Sequence, residues 1–221
     1  MKINNRDVMG VVVMSSNNND AILRRKERLF DRWAPNYDIL LTTVFYQAIH
    51  KRLIEHLELP EKARVLDLGC GTGKLLNRLA GQFPGLFGTG VDLSTKMLRE
   101  ARNSKKYRDR LIFVKGNAEA LPFFDAQFDA VFNTISFLHY PDPKQVFSEV
   151  SRVLVPGGRF YLVDYIEADG IFSLNYFRFF GGGIKFYSPE VREEMGKDAG
   201  LECSGHYYLL GPILLTIFTK K

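Results

Sequence analysis

The chain has 221 residues, of which 46% are hydrophobic and 25% are charged, and its formal net charge is +5. This length suits one α/β domain with room for a sizeable core. The mildly basic charge does not by itself indicate nucleic acid or lipid, because clusters such as 24–28 and 105–110 are usually solvated helix faces. Two cysteines, Cys70 and Cys203, exclude a disulfide framework and show no zinc-ligand spacing, so no metal site is predicted. They are typical of a reducing, cytoplasmic setting.

The first 20 residues are predicted to form a disordered tail, because residues 15–20 are an Asn-rich polar tract. Residues 8–14 are apolar but too few to span a membrane, and the cleavage pattern of a signal peptide is missing. Met14 is a candidate alternative start of translation. The folded domain is therefore expected to occupy residues 21–221.

From residue 21 onward, predicted helices alternate with short strands, which favours a mostly parallel sheet covered by helices on both faces. Helices over 21–33 and 43–57 are predicted to form an N-terminal helical cap that spans 21–58. The predicted strands are 63–68, 86–92, 111–115, 128–133, 159–165, 201–208 and 213–219. Further helices are predicted after the glycines at 69–73, then at 94–105 and 143–154, and from Ser188 to near Gly200, with Ser94 and Asp142 as N-caps. Residues 156–158 are predicted to turn into the fifth strand.

The most informative segment is Val65–Gly73, in which an apolar strand ends in an acid and a glycine-rich turn. Asp67 is followed by Gly69, Gly71 and Gly73, and a predicted helix begins at once. Glycines at this point let the backbone approach a nucleotide-type cofactor at a helix N-terminus. A tight turn without any ligand is the alternative interpretation.

The residues around the glycines favour S-adenosylmethionine (SAM) over a dinucleotide. Lys74 stands where the dinucleotide fingerprint requires a small residue, and the P-loop spacing is absent. Asp67 would repel a pyrophosphate but attract the ammonium group of SAM, which carries no phosphate. Asp92 closes the next strand and suits the ribose diol of either cofactor.

Several downstream motifs make the chain resemble the class I SAM-dependent methyltransferases, and among them the ubiquinone/menaquinone C-methyltransferase (UbiE-like) group. The resemblance covers about residues 29–165, and its motifs are Phe30–Asp38, the glycine segment, Asn117–Phe123, Thr134–Phe137 and Arg152–Arg159. It implies a Rossmann-like, seven-stranded sheet whose last strand, Ile213–Thr219, is antiparallel. It also implies that SAM is surrounded by Thr72, Asp92, Asn117, Ala118 and Ser136. The amide oxygen of Asn117 could accept a hydrogen bond from the adenine amino group, although a turn residue is the alternative.

Methyl transfer depends mainly on in-line positioning and on the exclusion of water, so the reaction requires few catalytic groups. A general base is needed only where the acceptor must lose a proton. His139, which follows the fourth strand, is the candidate catalytic base, and local packing at the strand end is the alternative. Tyr37 is a candidate cover of the pocket or a core residue. His50 and His206 have no sequence neighbours that suggest a role.

Residues 167–187 are predicted to be an insertion on the substrate side of the domain. Their aromatic residues and the three glycines at 181–183 suggest a lid for a small lipophilic or aromatic, quinone-like acceptor. Phe177, Phe180 and Tyr187 are, together with Tyr37, the candidate acceptor-side residues. Arg178 and Lys185 could contact lipid phosphates in a peripheral membrane contact. Burial against the sheet or in a homodimer is the alternative for the aromatic rings.

Three other classes compete with a small-molecule methyltransferase. An RNA methyltransferase would use the basic charge and the aromatic residues, but the Asn/Asp-Pro-Pro-aromatic motif of amino-group enzymes is absent, which argues against nucleic acid. A reductase could use Tyr140 and Lys144, but Pro141 and Pro143 keep that pair off one helix. A catalytically silent SAM-binding regulator stays open. The sequence therefore predicts a SAM-dependent methyltransferase with a small-molecule acceptor.

Overall fold

The computed structural model describes residues 21–28, 31, 40–166 and 184–221. Residues 21–28 form helix α1, as predicted, and α2 spans Leu40–Ile54, three residues earlier than predicted. The predicted tail over 1–20 and most of the predicted insertion lie outside the described residues.

Seven strands and four further helices complete the described fold. The strands are β1 (Arg64–Leu68), β2 (Phe87–Asp92), β3 (Leu111–Lys115), β4 (Phe128–Thr134), β5 (Leu154–Tyr165), β6 (Leu201–Leu210) and β7 (Ile213–Lys220). The helices are α3 (Lys74–Gln82), α4 (Thr95–Ser104), α5 (Pro143–Val153) and α6 (Pro189–Asp198). Ser94 and Asp142 cap α4 and α5 as predicted, because their side chains accept hydrogen bonds from the backbone N–H groups of Met97 and Gln145.

The strands form one sheet in the order β3-β2-β1-β4-β5-β7-β6. β7 is antiparallel to both of its neighbours, whereas the contacts among β1 to β5 are parallel, which confirms the predicted sheet. The chain moves outward from β1 in one direction and then crosses back to β4 on its other side. Such a reversal opens a crevice at the carboxyl ends of β1 and β4, where ligands bind in doubly wound folds.

The core lies on both faces of the sheet, because the central strands are buried on each side. Leu53, Leu76 and Leu98 pack on one face from α2, α3 and α4. Phe147 and Met195 pack on the other face from α5 and α6. No helix among the described residues is long and apolar enough to cross a membrane.

The start of β5 differs from the prediction. The strand begins at Leu154, which pairs with Phe128, and the next paired residues are Ala130 and Arg159. Residues 155–158 therefore form a bulge within the strand rather than a turn that leads into it, and Gly157 accommodates the bulge with φ +76°. The Pro-Gly-Gly sequence predicted a break in the chain but not that pairing resumes on both sides of it.

Candidate functional site

The glycine turn between β1 and α3 has three residues in the left-handed backbone region. Gly69, Gly71 and Gly73 have φ values of +65°, +52° and +74°. A Cβ atom on Gly69 would lie 2.5 Å from the Ser136 hydroxyl oxygen, whereas one on Gly71 would meet no described atom within 4 Å. Gly69 is therefore required by packing, while the backbone at Gly71 faces open space that a ligand can approach.

A pocket lies at the carboxyl ends of β1 and β4, between the glycine turn and α2. Asp67 lines it and is only 2% exposed. Burial raises the pKa of Asp67 well above its usual range, and the nearby charge of Asp92 raises it further. The remaining lining residues are Tyr46, His50, Gly69, Cys70, Gly71, Thr72, Lys74, Leu75 and Thr134.

Asp92 connects the glycine turn to the start of α4. Its Oδ2 accepts a hydrogen bond from the Gly71 N–H, and its Oδ1 accepts one from the Ser94 N–H, each at 2.8 Å. Burial raises the pKa of Asp92 against the effect of these bonds, and the charge of Asp31 adds to the increase. Asp31 is itself held here, because the Ser94 hydroxyl donates to its Oδ1 at 2.6 Å. Three carboxyl groups thus make this end of the sheet favourable for a cation.

A buried polar network supports the glycine turn from β4. The Asn133 amide nitrogen lies 3.2 Å from the Leu68 carbonyl oxygen and 2.8 Å from both the Ser136 and the Tyr140 hydroxyl oxygens. The Ser136 hydroxyl also donates to the Leu68 carbonyl oxygen at 3.1 Å. Ser136 is thus a support of the turn as well as a predicted cofactor contact. Asn133 and Tyr140 were not predicted at this site, although an asparagine within an apolar strand is a usable signal.

Asn117 and Ala118 follow β3, beside Asp92. The Gly116 N–H donates to the Asp92 carbonyl oxygen at 3.1 Å, and the Asn117 side-chain oxygen accepts from the Glu119 N–H at 3.0 Å. This bond is the one expected of a turn residue, the alternative given for Asn117 above. Ala118 is 5% exposed and belongs to the core face that contains Leu68.

His139 ends a short 3-10 turn, Phe137–His139, directly after β4. The Lys26 ammonium donates a hydrogen bond to its carbonyl oxygen. Burial, and secondarily the Lys26 charge, lowers the pKa of the His139 imidazole to about 3, so the ring is neutral at neutral pH. Asp164 anchors the same turn, because its Oδ2 accepts from the Leu138 N–H at 3.1 Å.

His50 lines the pocket from α2 and is 4% exposed. Its Nδ1 atom is buried without a hydrogen-bond partner among the described residues, as is the hydroxyl of Thr134, which also lines the pocket. Burial lowers the pKa of His50 to about 3, with smaller contributions from the charges of Arg78 and Lys74. No role was predicted for His50, because α2 meets the glycine turn only in the folded chain.

Of the four predicted acceptor-side residues, Tyr37, Phe177 and Phe180 lie outside the described residues. Tyr187 is half-buried, and its ring packs edge-on against Phe137 with centroids 5.4 Å apart. Its hydroxyl oxygen has no hydrogen-bond partner among the described residues, and burial raises its pKa to about 12.

A group of aromatic side chains that the sequence analysis did not single out lies beside the pocket. Tyr165 stacks on Phe45 at 6.5 Å between ring centroids and meets Phe186 edge-on at 6.4 Å. Phe45 contacts Tyr46 at 5.9 Å, and Tyr46 lines the pocket. These four partly buried residues, here called the aromatic group, join α2, the end of β5 and the segment before α6.

The site fits SAM on its own geometry. Among the described residues, the Gly71 backbone is open and polar atoms of His50 and Thr134 have no hydrogen-bond partner, which leaves room and hydrogen-bonding capacity for a ligand. The buried carboxyl groups suit a ligand with ammonium and sulfonium charges rather than a pyrophosphate. Fold and site together define a doubly wound α/β protein with room for a cationic nucleoside cofactor at its topological switch point.

Comparisons with known proteins identify the family. A family profile described as "Methyltransferase domain" matches residues 66–162. A demethylmenaquinone methyltransferase of Thermotoga maritima is 32% identical over 204 residues, which cover 80% of this chain and 88% of that protein. A malonyl-[acyl-carrier protein] O-methyltransferase of Geobacter sulfurreducens is 39% identical over 158 residues, which cover 68% of this chain and 56% of that protein. The Haloferax volcanii protein solved in complex with the Trm112 methyltransferase activator shares the fold, with a TM-score of 0.78, 24% identity and coverage of 86% of this chain and 96% of that one.

The chain belongs to the class I SAM-dependent methyltransferases, and within that class it resembles the UbiE-like group. It is a methyltransferase whose cofactor is SAM.

Proposed function

We propose that this methyltransferase carries the methyl group of SAM to a small, lipophilic aromatic acceptor of the quinone type. The observation that carries the proposal is the similarity to a demethylmenaquinone methyltransferase over 88% of that protein's length. The similarity extends beyond the cofactor-binding motifs, and so includes elements that lie on the acceptor side of the sheet.

The aromatic group supports this acceptor class. Tyr46 belongs both to the pocket and to the aromatic group, so aromatic faces continue from the cofactor site toward Tyr165 and Phe186. Aromatic rings pack in stacked or edge-on geometries, and a flat quinone-like ring can join such a group. We place the acceptor against these residues and Tyr187.

We assign the cofactor contacts as follows. Asp92 uses its remaining lone pairs to accept the ribose hydroxyls, and Asp67 faces the ammonium group. Gly69, Gly71 and Gly73 allow the close approach of the backbone, and Thr72, Ser136, Asn117 and Ala118 complete the walls. When bound, SAM supplies a methyl group on a sulfonium sulfur that leaves as a neutral thioether. The residues of the chain align the acceptor with that methyl group and exclude water.

The charged groups around His139 bear on the ionisation state of the acceptor. Burial lowers the pKa of His139 to about 3, so the imidazole is neutral at neutral pH and a weak base. Lys26 donates to the His139 carbonyl oxygen, and burial lowers the Lys26 pKa to about 8. The charge of Glu119 opposes this shift and the charge of Lys185 adds to it, so two ammonium groups and one carboxylate lie on this side. We infer that the ammonium groups of Lys26 and Lys185 favour an ionised acceptor hydroxyl and that neutral His139 packs beside it. The ring carbon then gains the methyl group and loses its proton to solvent.

O-methylation of a carboxylate is a second candidate. The 39% identity to a malonyl-[acyl-carrier protein] O-methyltransferase favours it, but the aligned region covers only 56% of that relative. A carboxylate acceptor is already ionised and needs no base.

We further propose that the protein acts in the cytoplasm, for which its two free cysteines are typical, and that Lys185 takes part in a peripheral membrane contact. Sedimentation with anionic vesicles, compared with neutral vesicles, tests the membrane contact. Size-exclusion chromatography with light scattering tests whether the chain is a homodimer.

The acceptor is tested with the purified chain and isotopically labelled SAM. Separate reactions contain a naphthoquinol without its ring methyl group, the same compound oxidised, a malonyl thioester, and total RNA, and mass spectrometry locates the label. We expect label in the quinol only. Label in a methyl ester of the malonyl thioester would favour the second candidate, and label in RNA would refute both candidates. Tight SAM binding without transfer to these acceptors or to cell extract would indicate a silent regulator.

A further inference from the structure

We propose that Glu193, Cys203 and His206 form a binding site for one zinc ion, separate from the methyl-transfer site. Glu193 lies on α6, and Cys203 and His206 lie on β6, beside that helix. One ligand atom of each side chain, namely a carboxylate oxygen, the thiol sulfur and an imidazole nitrogen, lies within 4.8 Å of the other two. The three residues do not line the pocket described above.

The distances fit a tetrahedral ion. Zinc–sulfur and zinc–nitrogen bonds of about 2.3 and 2.0–2.1 Å at a tetrahedral angle separate the two ligand atoms by about 3.6 Å. The Cys203 sulfur and the His206 Nε2 are 3.7 Å apart. The Glu193 Oε1 lies 2.8 Å from the same nitrogen, closer than the roughly 3.4 Å that a shared zinc ion requires. The Glu193 carboxylate can move this short distance away from Nε2, because its side chain is 53% exposed.

The other nitrogen of His206 is already oriented for a metal ligand. Nδ1 lies 3.0 Å from the hydroxyl oxygen of Thr216, the residue paired with His206 across β6 and β7. A metal on Nε2 requires a proton on Nδ1, and the hydroxyl oxygen of Thr216 can accept that proton in a hydrogen bond. Histidine ligands in metal sites regularly donate their second N–H in this way, which fixes the tautomer and the ring plane. Thr216 is fully buried, so this support is rigid.

The chemistry of the donor set selects the ion. A thiolate, an imidazole and a carboxylate together are typical zinc ligands, whereas magnesium and calcium prefer oxygen ligands alone. Three protein ligands leave a fourth position for water.

The position of the site indicates what zinc would do. A bound ion would fasten α6 to β6, and α6 follows the segment whose Lys185 N–H donates to the Leu138 carbonyl oxygen. Zinc would therefore stabilise the helix that directly follows the segment we place on the acceptor side, a consequence that rests on the proposed function.

The test uses the full chain, stripped of metal with a chelator and returned to metal-free buffer. Zinc is titrated against a chromogenic chelator, cobalt is used for absorption spectra, and thermal unfolding is followed with and without zinc. We expect one equivalent of zinc, a higher Tm, no competition from excess magnesium, and a sulfur-to-cobalt charge-transfer band. Cys203→Ser should abolish that band, and His206→Gln and Glu193→Gln should each weaken zinc binding. Thr216→Val, which keeps the ligands but removes their support, should weaken it by roughly 10- to 100-fold.

Matched controls are Glu194→Gln, next to Glu193 on α6, and His56→Gln, a histidine outside the cluster. Both should bind zinc as the unaltered chain does. The proposal is overturned if the unaltered chain binds no stoichiometric zinc, which would leave only a hydrogen-bonded network. It is also overturned if Cys203→Ser and His206→Gln keep full zinc affinity. The same holds if the two controls lose as much zinc affinity as Cys203→Ser and His206→Gln lose, because zinc would then bind elsewhere.

Discussion

Replacing Gly71 with alanine should weaken SAM binding while costing the fold only the strain of one left-handed residue. Gly71 has φ +52°, and a Cβ atom there would meet no described atom within 4 Å. An alanine in the left-handed region costs about 1–2 kcal/mol. The methyl group would enter the space we assign to the cofactor. Overfilling a packed contact costs about 1–3 kcal/mol, which corresponds to a loss of roughly 5- to 150-fold in SAM affinity.

Gly211, in the turn between β6 and β7, provides the matched control. Its φ is +53°, and a Cβ atom there would likewise meet no described atom within 4 Å. Gly211→Ala should therefore lower the free energy of unfolding by the same amount as Gly71→Ala and leave SAM binding intact. Gly69→Ala should destabilise the fold more than either, because its Cβ would lie 2.5 Å from the Ser136 hydroxyl oxygen.

Urea unfolding without ligand measures the free energy of unfolding of the three variants, and titration calorimetry with SAM measures affinity. The reasoning is refuted if Gly71→Ala binds SAM as tightly as Gly211→Ala does. It is also refuted if Gly71→Ala is much less stable than Gly211→Ala, because the loss of affinity would then report damage to the turn.

Three further predictions concern His50, Asp92 and His139. The pKa of His50 is lowered to about 3 in the fold, so between that value and about 6.5 the unfolded chain binds the extra proton and stability rises with pH. The contribution of His50 to the free energy of unfolding should fall by about 2 kcal/mol from pH 7 to pH 5. Urea unfolding of His50→Gln should not show this fall, once any change that the control His56→Gln also shows has been subtracted. Asp92→Asn should weaken SAM binding by about 1.5–3 kcal/mol for each hydrogen bond lost, and unchanged affinity in calorimetry would remove Asp92 from the ribose site. His139→Gln should bind SAM as the unaltered chain does. Because burial lowers the His139 pKa to about 3, protonation of His139 should not reduce the initial rate of the unaltered enzyme near pH 6.5. A loss of rate near pH 6.5 that His139→Gln abolishes would contradict this prediction.

The sheet and the glycine turn could be predicted because their signals are local. β1 is an apolar run that is buried from Val65 to Leu68, and Gly69, Gly71 and Gly73 all adopt the positive φ values that glycine permits. The N-caps at Ser94 and Asp142 are equally local, since each accepts a bond from a backbone N–H three residues later. The ends of the strands were predicted less accurately. β5 starts at Leu154 rather than Arg159, because strand pairing tolerates a bulge that turn residues alone do not reveal.

Residues that meet across long separations could not be predicted in the same way. Tyr46 and His50 reach the pocket from α2, and Asn133 supports the glycine turn from β4. The cluster of Glu193, Cys203 and His206 has no zinc-ligand spacing, because a helix supplies one side chain and a strand supplies the other two. In each case the chemistry depends on tertiary packing, of which the sequence carries no periodic trace.

The same contrast explains why the methyl donor is better determined than the acceptor. The cofactor contacts that we propose come from one continuous turn and the ends of two adjacent strands, so their sequence signal is local. The proposed acceptor side is assembled from α2, the end of β5 and the segment before α6, which meet in the aromatic group through Phe45, Tyr165 and Phe186. Changes in any of these three elements would reshape the acceptor space without touching Asp67 or Asp92. A demethylmenaquinone methyltransferase and a malonyl-[acyl-carrier protein] O-methyltransferase are both similar to this chain, and we expect the identity of its acceptor to depend on these three elements.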